Sequence, residues 1–160
     1  MKTALIIIDV QNILVETGFE TDKLLEKIAY LQDRARKQQI EIIYIQHIET
    51  PEALTSEDWQ LSPLLNRQEN EKVFQKRYNS MFKETGLKEY LDQQGIEQLV
   101  LCGMQTEYCV DTSVKVGFEY GYKLVIPEGA VTIFDGEDIP AETLNEFYEN
   151  IWAERFADVL

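Results

Sequence analysis

The stretch LVLCGMQTEYCVDTSVKVGFEYGYKLVI, residues 99–126, decides the fold class. Its first apolar run closes a segment, QLVLC (98–102), that is short enough for a buried strand. Gly103 marks a turn. Beyond it, Val110, Val114, Gly117, Phe118 and Gly121 fall at helical spacing and form one apolar stripe. YKLVI (122–126) is again a strand. Strand, turn, helix and strand in that order form the unit of a parallel sheet.

The pattern repeats outward. ALIII (4–8) is expected to be a first strand. From Thr21 to Gln38, the residues Leu24, Leu25, Ile28, Leu31 and Ala35 mark an amphipathic helix. IEIIYIQ (40–46) and KVFQK (72–76) are further strands, and LKEYLDQQG (87–95) is a short helix stopped by Gly95. Residues 141–153 form a last helix and 155–160 a sixth strand. The polar stretch 48–70, with Pro51, Trp59 and Pro63, is a long loop carrying a helical turn. A loop of that length in a small domain is usually functional. The alternation implies a parallel sheet covered by helices on both faces, with ligands beyond the C-terminal strand ends.

The chain of 160 residues suits one domain spanning 1–160 and carries a net charge of -14. That charge disfavours nucleic acid and anionic lipid as partners. The apolar run at the N-terminus is too short for a membrane span. Two cysteines are too few for a disulfide framework, which suits a reducing cytoplasm. One histidine, His47, cannot build a His-rich zinc site, and no metal or other cofactor is expected.

Three residues stand at or beyond strand ends: Asp9, Lys76 and Cys109. If their strands are neighbours, the side chains converge. A helix N-terminus and a lysine would both favour the Cys109 thiolate, which is the nucleophilic form. Asp9 could take the thiol proton and return it to a leaving group. Main-chain N–H groups near Cys109 could hold a developing oxyanion. Each residue also has an ordinary explanation. A single cysteine near a strand end is more often a small hydrophobe, as Cys102 within its strand is expected to be. Lysines are mostly solvated, and an Asp after a strand often only caps a loop. His47, Trp59, Tyr108 and Phe82 are candidates to border a pocket, as is Gln11, although aromatic residues more often only pack.

Three segments together resemble the isochorismatase-like cysteine hydrolases, over nearly the whole chain. ALIIIDVQN (4–12) is similar to that family's opening strand and its aspartate. KRYNSMFKETGL (76–87) is similar to its lysine segment. LVLCGMQTEYCVDTSVKVGFEYGYKLVIPEGA (99–130) is similar to its cysteine segment, matching at Gly103, Thr106, Cys109, Val110, Thr112, Gly121 and Ala130. The resemblance implies a doubly wound, Rossmann-like three-layer α/β sandwich with a six-stranded parallel sheet. It implies a catalytic triad of Asp9, Lys76 and Cys109. It implies a cis peptide at Met104–Gln105 and an oxyanion hole from the Gln105 and Cys109 N–H groups. It also implies a homo-oligomer, a dimer or larger. Metal-binding members place an acid and several histidines after strand two, where this chain offers His47 and some acids, so the metal-free branch is implied.

The expected activity is cleavage of a C–N bond in a small amide-type molecule through a thioester. The alternatives are vinyl-ether hydrolysis of an isochorismate-like acid, with Arg77 and Lys83 holding carboxylates, and a non-enzymatic binding module of the same fold.

Overall fold

The computed structural model describes residues 1–160. The elements in chain order are β1 (Thr3–Ile8), α1 (Asn12–Thr17), α2 (Thr21–Lys37), β2 (Glu41–His47), β3 (Lys72–Lys76), α3 (Leu87–Gln93), β4 (Gln98–Met104), α4 (Asp111–Glu119), β5 (Lys123–Ile126), β6 (Val131–Thr132), α5 (Ala141–Trp152) and β7 (Asp158–Val159). The sheet runs β3-β2-β1-β4-β5-β7, with β6 beside the end of β4. All pairings between these strands are parallel. The six expected strands are therefore present, and β6 adds a seventh. The last strand is shorter than 155–160, because residues 153–157 turn before Asp158 reaches β5.

Why β1 is central follows from its sequence. Ala4, Leu5, Ile6, Ile7 and Ile8 are all buried, as a strand covered on both faces requires. Alternate side chains enter two separate cores. Ala4, Ile6 and Ile8 join Leu87, Leu91, Val114 and Trp152 beneath α3, α4 and α5. Leu5 and Ile7 join Leu14, Leu24, Ile28 and Ala35 beneath α1 and α2. The Leu24, Ile28 and Ala35 stripe is the one that helical spacing predicts for α2.

The loop between β2 and β3 contains three 3₁₀ turns, Pro51–Leu54, Glu57–Trp59 and Pro63–Leu65. A buried polar network anchors its far end. Tyr44 donates to Glu71 at 2.8 Å, Arg36 binds Glu71 through two nitrogens at 2.8 and 3.1 Å, and Gln32 donates to the Leu65 carbonyl at 2.7 Å. Such a network costs little only because nearly every polar atom in it has a partner.

No helix is long and apolar enough to cross a membrane. The short α1 and the two-residue β6 carry no periodic signal long enough to read, so the sequence pattern misses them.

Gly103 lies opposite Ile8, and a Cβ there would stand 2.1 Å from the Ile8 carbonyl oxygen. Gly86 also has a positive φ, but open space surrounds it. Gly103→Ala is expected to lose at least ~3 kcal/mol of stability or fail to fold, while Gly86→Ala loses about 1–2 kcal/mol. Urea unfolding of the two variants checks this.

Candidate active site

β1, β2, β3 and β4 end on one edge, where the strand order reverses direction away from β1 and β4. Ligands bind at such an edge in doubly wound sheets. Asp9 follows β1 with a φ of 52°, a left-handed conformation that Asp tolerates better than most residues. Its N–H is tied to the Ile45 carbonyl at 3.0 Å. Lys76 closes β3, and His47 is its partner in the β2 register. Lys76 lies two strands from β1, roughly 10 Å at normal strand spacing. Its side chain spans that gap, passing His47 on the way.

The Lys76 ammonium is fully buried and surrounded by acceptors. Asp9 Oδ2 lies at 2.9 Å, His47 Nδ1 at 2.9 Å, Cys109 Sγ at 3.1 Å and the Tyr78 carbonyl at 2.9 Å. Three N–H bonds are thus shared among four acceptors. Because the ammonium can only donate, His47 Nδ1 accepts and the imidazole proton is on Nε2. Burial, and then the Lys76 charge, lower the His47 pKa, so the ring is neutral near pH 7. Asp9, His47 and Cys109 bring ligand atoms within 4.8 Å of one another, a spacing that a metal ion could use. All three already bind the Lys76 ammonium, so the cationic position among them belongs to a side chain.

Cys109 does not sit in an α-helical turn as its position after β4 suggests. Thr106–Val110 form a π-helical turn, in which the Tyr108 and Val110 N–H groups both donate to the Gln105 carbonyl at 3.1 Å. The Met104–Gln105 peptide is cis. The Gln105 N–H donates to no group of the protein. Asp9 Oδ1 is buried and likewise has no partner.

One expectation about the thiol is corrected. Helix-end and lysine charges alone would favour a resting thiolate. Instead, burial and next the Asp9 carboxylate push the Cys109 thiol up to about 12, and Lys76 only partly opposes them. Burial thus favours the protonated sulfur. Moving its proton to Asp9 leaves the net charge of the cluster unchanged, so no ion has to be created in the dry site. Cys102 is wholly buried, and burial pushes its thiol up as well.

A cavity of about 620 Å³ opens over this cluster, lined by Asp9, His47, Trp59, Gln105, Tyr108 and Cys109 among others. Two expected pocket residues are absent from its wall. Phe82 is buried in the core, where its ring stacks on Tyr122 and meets Tyr120 edge-on. Gln11 is fully buried and acts as a clamp. Its amide nitrogen donates to the His47 and Trp59 carbonyls at 3.0 and 2.7 Å, and its oxygen accepts the His47 N–H at 2.9 Å. It thereby places two residues that do line the cavity. Arg77 and Lys83, named above as possible holders of carboxylates, line the wall, and Glu49 and Asn79 join it without having been singled out. For Glu49 and Asn79 the only sequence signal is position, shortly after β2 and shortly after β3.

The Isochorismatase domain family model matches residues 3–158. The chain belongs to the isochorismatase family. It is a hydrolase of that family. Streptothricin hydrolase of Streptomyces noursei is 30% identical over 144 residues, covering 86% of this hydrolase and 51% of the relative. The chain thus spans about half the length of that enzyme. An isochorismatase family protein of Bacillus subtilis, YddQ, is 29% identical, covering 89% of this chain and 86% of its own. Among solved structures, an isochorismatase family protein superposes with a TM-score of 0.94 at 28% identity, covering 99% and 97% of the two chains. An isochorismatase from Pseudomonas putida KT2440 superposes at 0.90 with 31% identity, covering 98% and 86%.

The lowered pKa of His47 has a direct consequence for stability. A group with a depressed folded-state pKa stabilises the fold above its ordinary value and loses that contribution as pH falls. Below about pH 6.5, the native hydrolase is expected to lose stability faster than His47→Gln. Urea unfolding of both proteins across pH 5–8, on the order of the usual buffer range, gives the comparison.

Proposed function

We propose that this isochorismatase-family hydrolase cleaves the C–N bond of a small amide-type substrate through a thioester on Cys109. The observation that carries the proposal is the single buried ammonium of Lys76, bonded to both the Asp9 carboxylate and the Cys109 sulfur beside a cavity. Streptothricin hydrolase, at 30% identity, supports the hydrolase class, and amide cleavage is the finer proposal.

In this mechanism Asp9 Oδ1, which is free to accept, takes the Cys109 proton. The sulfur attacks the substrate carbonyl carbon. The Gln105 and Cys109 N–H groups hold the resulting oxyanion. Asp9 then passes the proton to the leaving nitrogen, and the C–N bond breaks. Water, deprotonated by Asp9, attacks the thioester, and the acid and the free thiol are released. Lys76 keeps a positive charge beside whichever of Asp9 and Cys109 is anionic. The raised thiol pKa suits this scheme, since the proton leaves only when an acceptor and an electrophile are both present.

The vinyl-ether alternative draws on a separate observation. Arg77 and Lys83 line the cavity, and neither forms an ion pair with a carboxylate of the chain. A dicarboxylate vinyl ether therefore belongs in the substrate panel beside neutral amides, ureas and carbamoyl compounds. Release of a carbonyl product rather than ammonia or an amine would favour it.

Cys109→Ala is expected to abolish product release while the protein still folds, and mass spectrometry of quenched native enzyme should show an acyl adduct on Cys109. Turnover by a folded Cys109→Ala protein would overturn the mechanism. A second outcome separates the roles of Asp9. Because its carboxylate raises the Cys109 pKa, Asp9→Asn should alkylate faster with iodoacetamide at neutral pH than the native enzyme. The same variant should lose at least ~10²-fold in turnover.

A further inference from the structure

α5 meets the cysteine turn at two points. Asn145 Oδ1 accepts from the Thr106 hydroxyl at 2.6 Å. Seven residues later, Trp152 Nε1 donates to Asp111 Oδ1 at 2.9 Å. Seven residues are close to two helical turns, so both side chains leave the same face of α5. Their partners flank the nucleophile candidate: Thr106 precedes Cys109 and Asp111 follows it. Thr106 and Trp152 are both fully buried, while Asn145 and Asp111 are half-buried.

Asn145 is itself anchored. Its Nδ2 lies 3.4 Å from Thr132 Oγ1, and that hydroxyl donates to the Phe19 carbonyl at 2.7 Å. Thr106 directly follows Gln105, whose N–H has no partner in the protein. Main-chain bonds from Tyr108 and Val110 hold only the Gln105 carbonyl. The Gln105 N–H lies in the cis Met104–Gln105 peptide plane, which β4 holds through the pairing of Met104 with Thr132. On the following side the Gln105 carbonyl bonds and the Thr106 side chain, with what holds it, fix the chain.

We infer that Asn145, through the Thr106 hydroxyl, is a positioning residue that aims the Gln105 N–H into the cavity. This rests on the proposed thioester chemistry, in which that N–H binds the oxyanion. An oxyanion donor acts on the transition state more than on the bound ground state, so losing its aim lowers kcat and spares KM. No residue of α5 itself lines the cavity, so its effect on the reaction passes through the cysteine turn.

The test uses Asn145→Leu, which is close in size and lacks the acceptor, and Asn145→Asp, which keeps it. Asn145→Leu should lower kcat by about 10–100-fold with KM changed by less than about three-fold. Asn145→Asp should restore most of the rate. The double variant Thr106→Val with Asn145→Leu leaves no orphaned hydroxyl in the core, so it guards against misfolding. It should be no slower than Thr106→Val alone, because both changes break one linkage. A readout independent of substrate is the Gln105 amide resonance in ¹⁵N-labelled protein. It should move in Asn145→Leu and return toward its native position in Asn145→Asp. An unmoved Gln105 resonance, or an Asn145→Leu enzyme with native kcat, overturns the inference and leaves the thioester mechanism standing. Absence of turnover in the native protein, with the resonance responding as stated, would instead count against the thioester mechanism while upholding the structural linkage.

Discussion

A lysine ammonium with no exposed surface is tolerable only when its charge is matched and its protons are accepted. In this hydrolase Lys76 meets both conditions at once, through Asp9, His47, Cys109 and the Tyr78 carbonyl. Much of the architecture serves to bring those acceptors together. β1 and β4 must be adjacent so that Asp9 and the cysteine turn face each other. β2 must lie between β1 and β3, which puts His47 in the path of the lysine chain. The order of four strands is thereby tied to one cation.

The elements behind the strand ends have complementary tasks. On one side, Gln11 links β1, β2 and the long loop by bonding the main chain of His47 and Trp59. The Arg36–Glu71–Tyr44 network holds the far end of that loop, where it returns to β3. On the other side, α5 grips the cysteine turn before and after Cys109. Each contact is a partly or fully buried hydrogen bond, and each joins segments far apart in sequence. Polar groups in these places restrict geometry more than they add stability, since a typical internal hydrogen bond contributes only about 1 kcal/mol net.

The strands and the larger helices were legible because their patterns are local. ALIII, IEIIYIQ and QLVLC are apolar runs bounded by polar or turn residues, and α2 and α5 are long enough for periodicity to emerge. The candidate site was legible at Asp9, Lys76 and Cys109, where strand-end position and the family resemblance coincide. It failed where a side chain had two physically sensible destinations. Phe82 lies in the lysine segment as a pocket residue would, yet a flat aromatic face was available on Tyr122 and the ring packs there. Gln11 stands next to the site in sequence but turns inward, because three main-chain groups needed a partner. The thiol was misjudged because attraction to Lys76 can be inferred from proximity, whereas desolvation depends on everything that covers the sulfur.

By itself, the order of short apolar runs and amphipathic segments determined a parallel α/β sheet, and it placed an acid, a lysine and a cysteine at strand ends. Those are properties of neighbouring residues, written in a periodicity of two or 3.6. Only the tertiary structure decided that β2 separates β1 from β3, that His47 shares the lysine's protons, and that Asn145 on α5 reaches Thr106. It also decided how far burial raises the thiol against the pull of Lys76. These depend on contacts between residues far apart in the chain and on the exclusion of water from between them, neither of which any local pattern encodes.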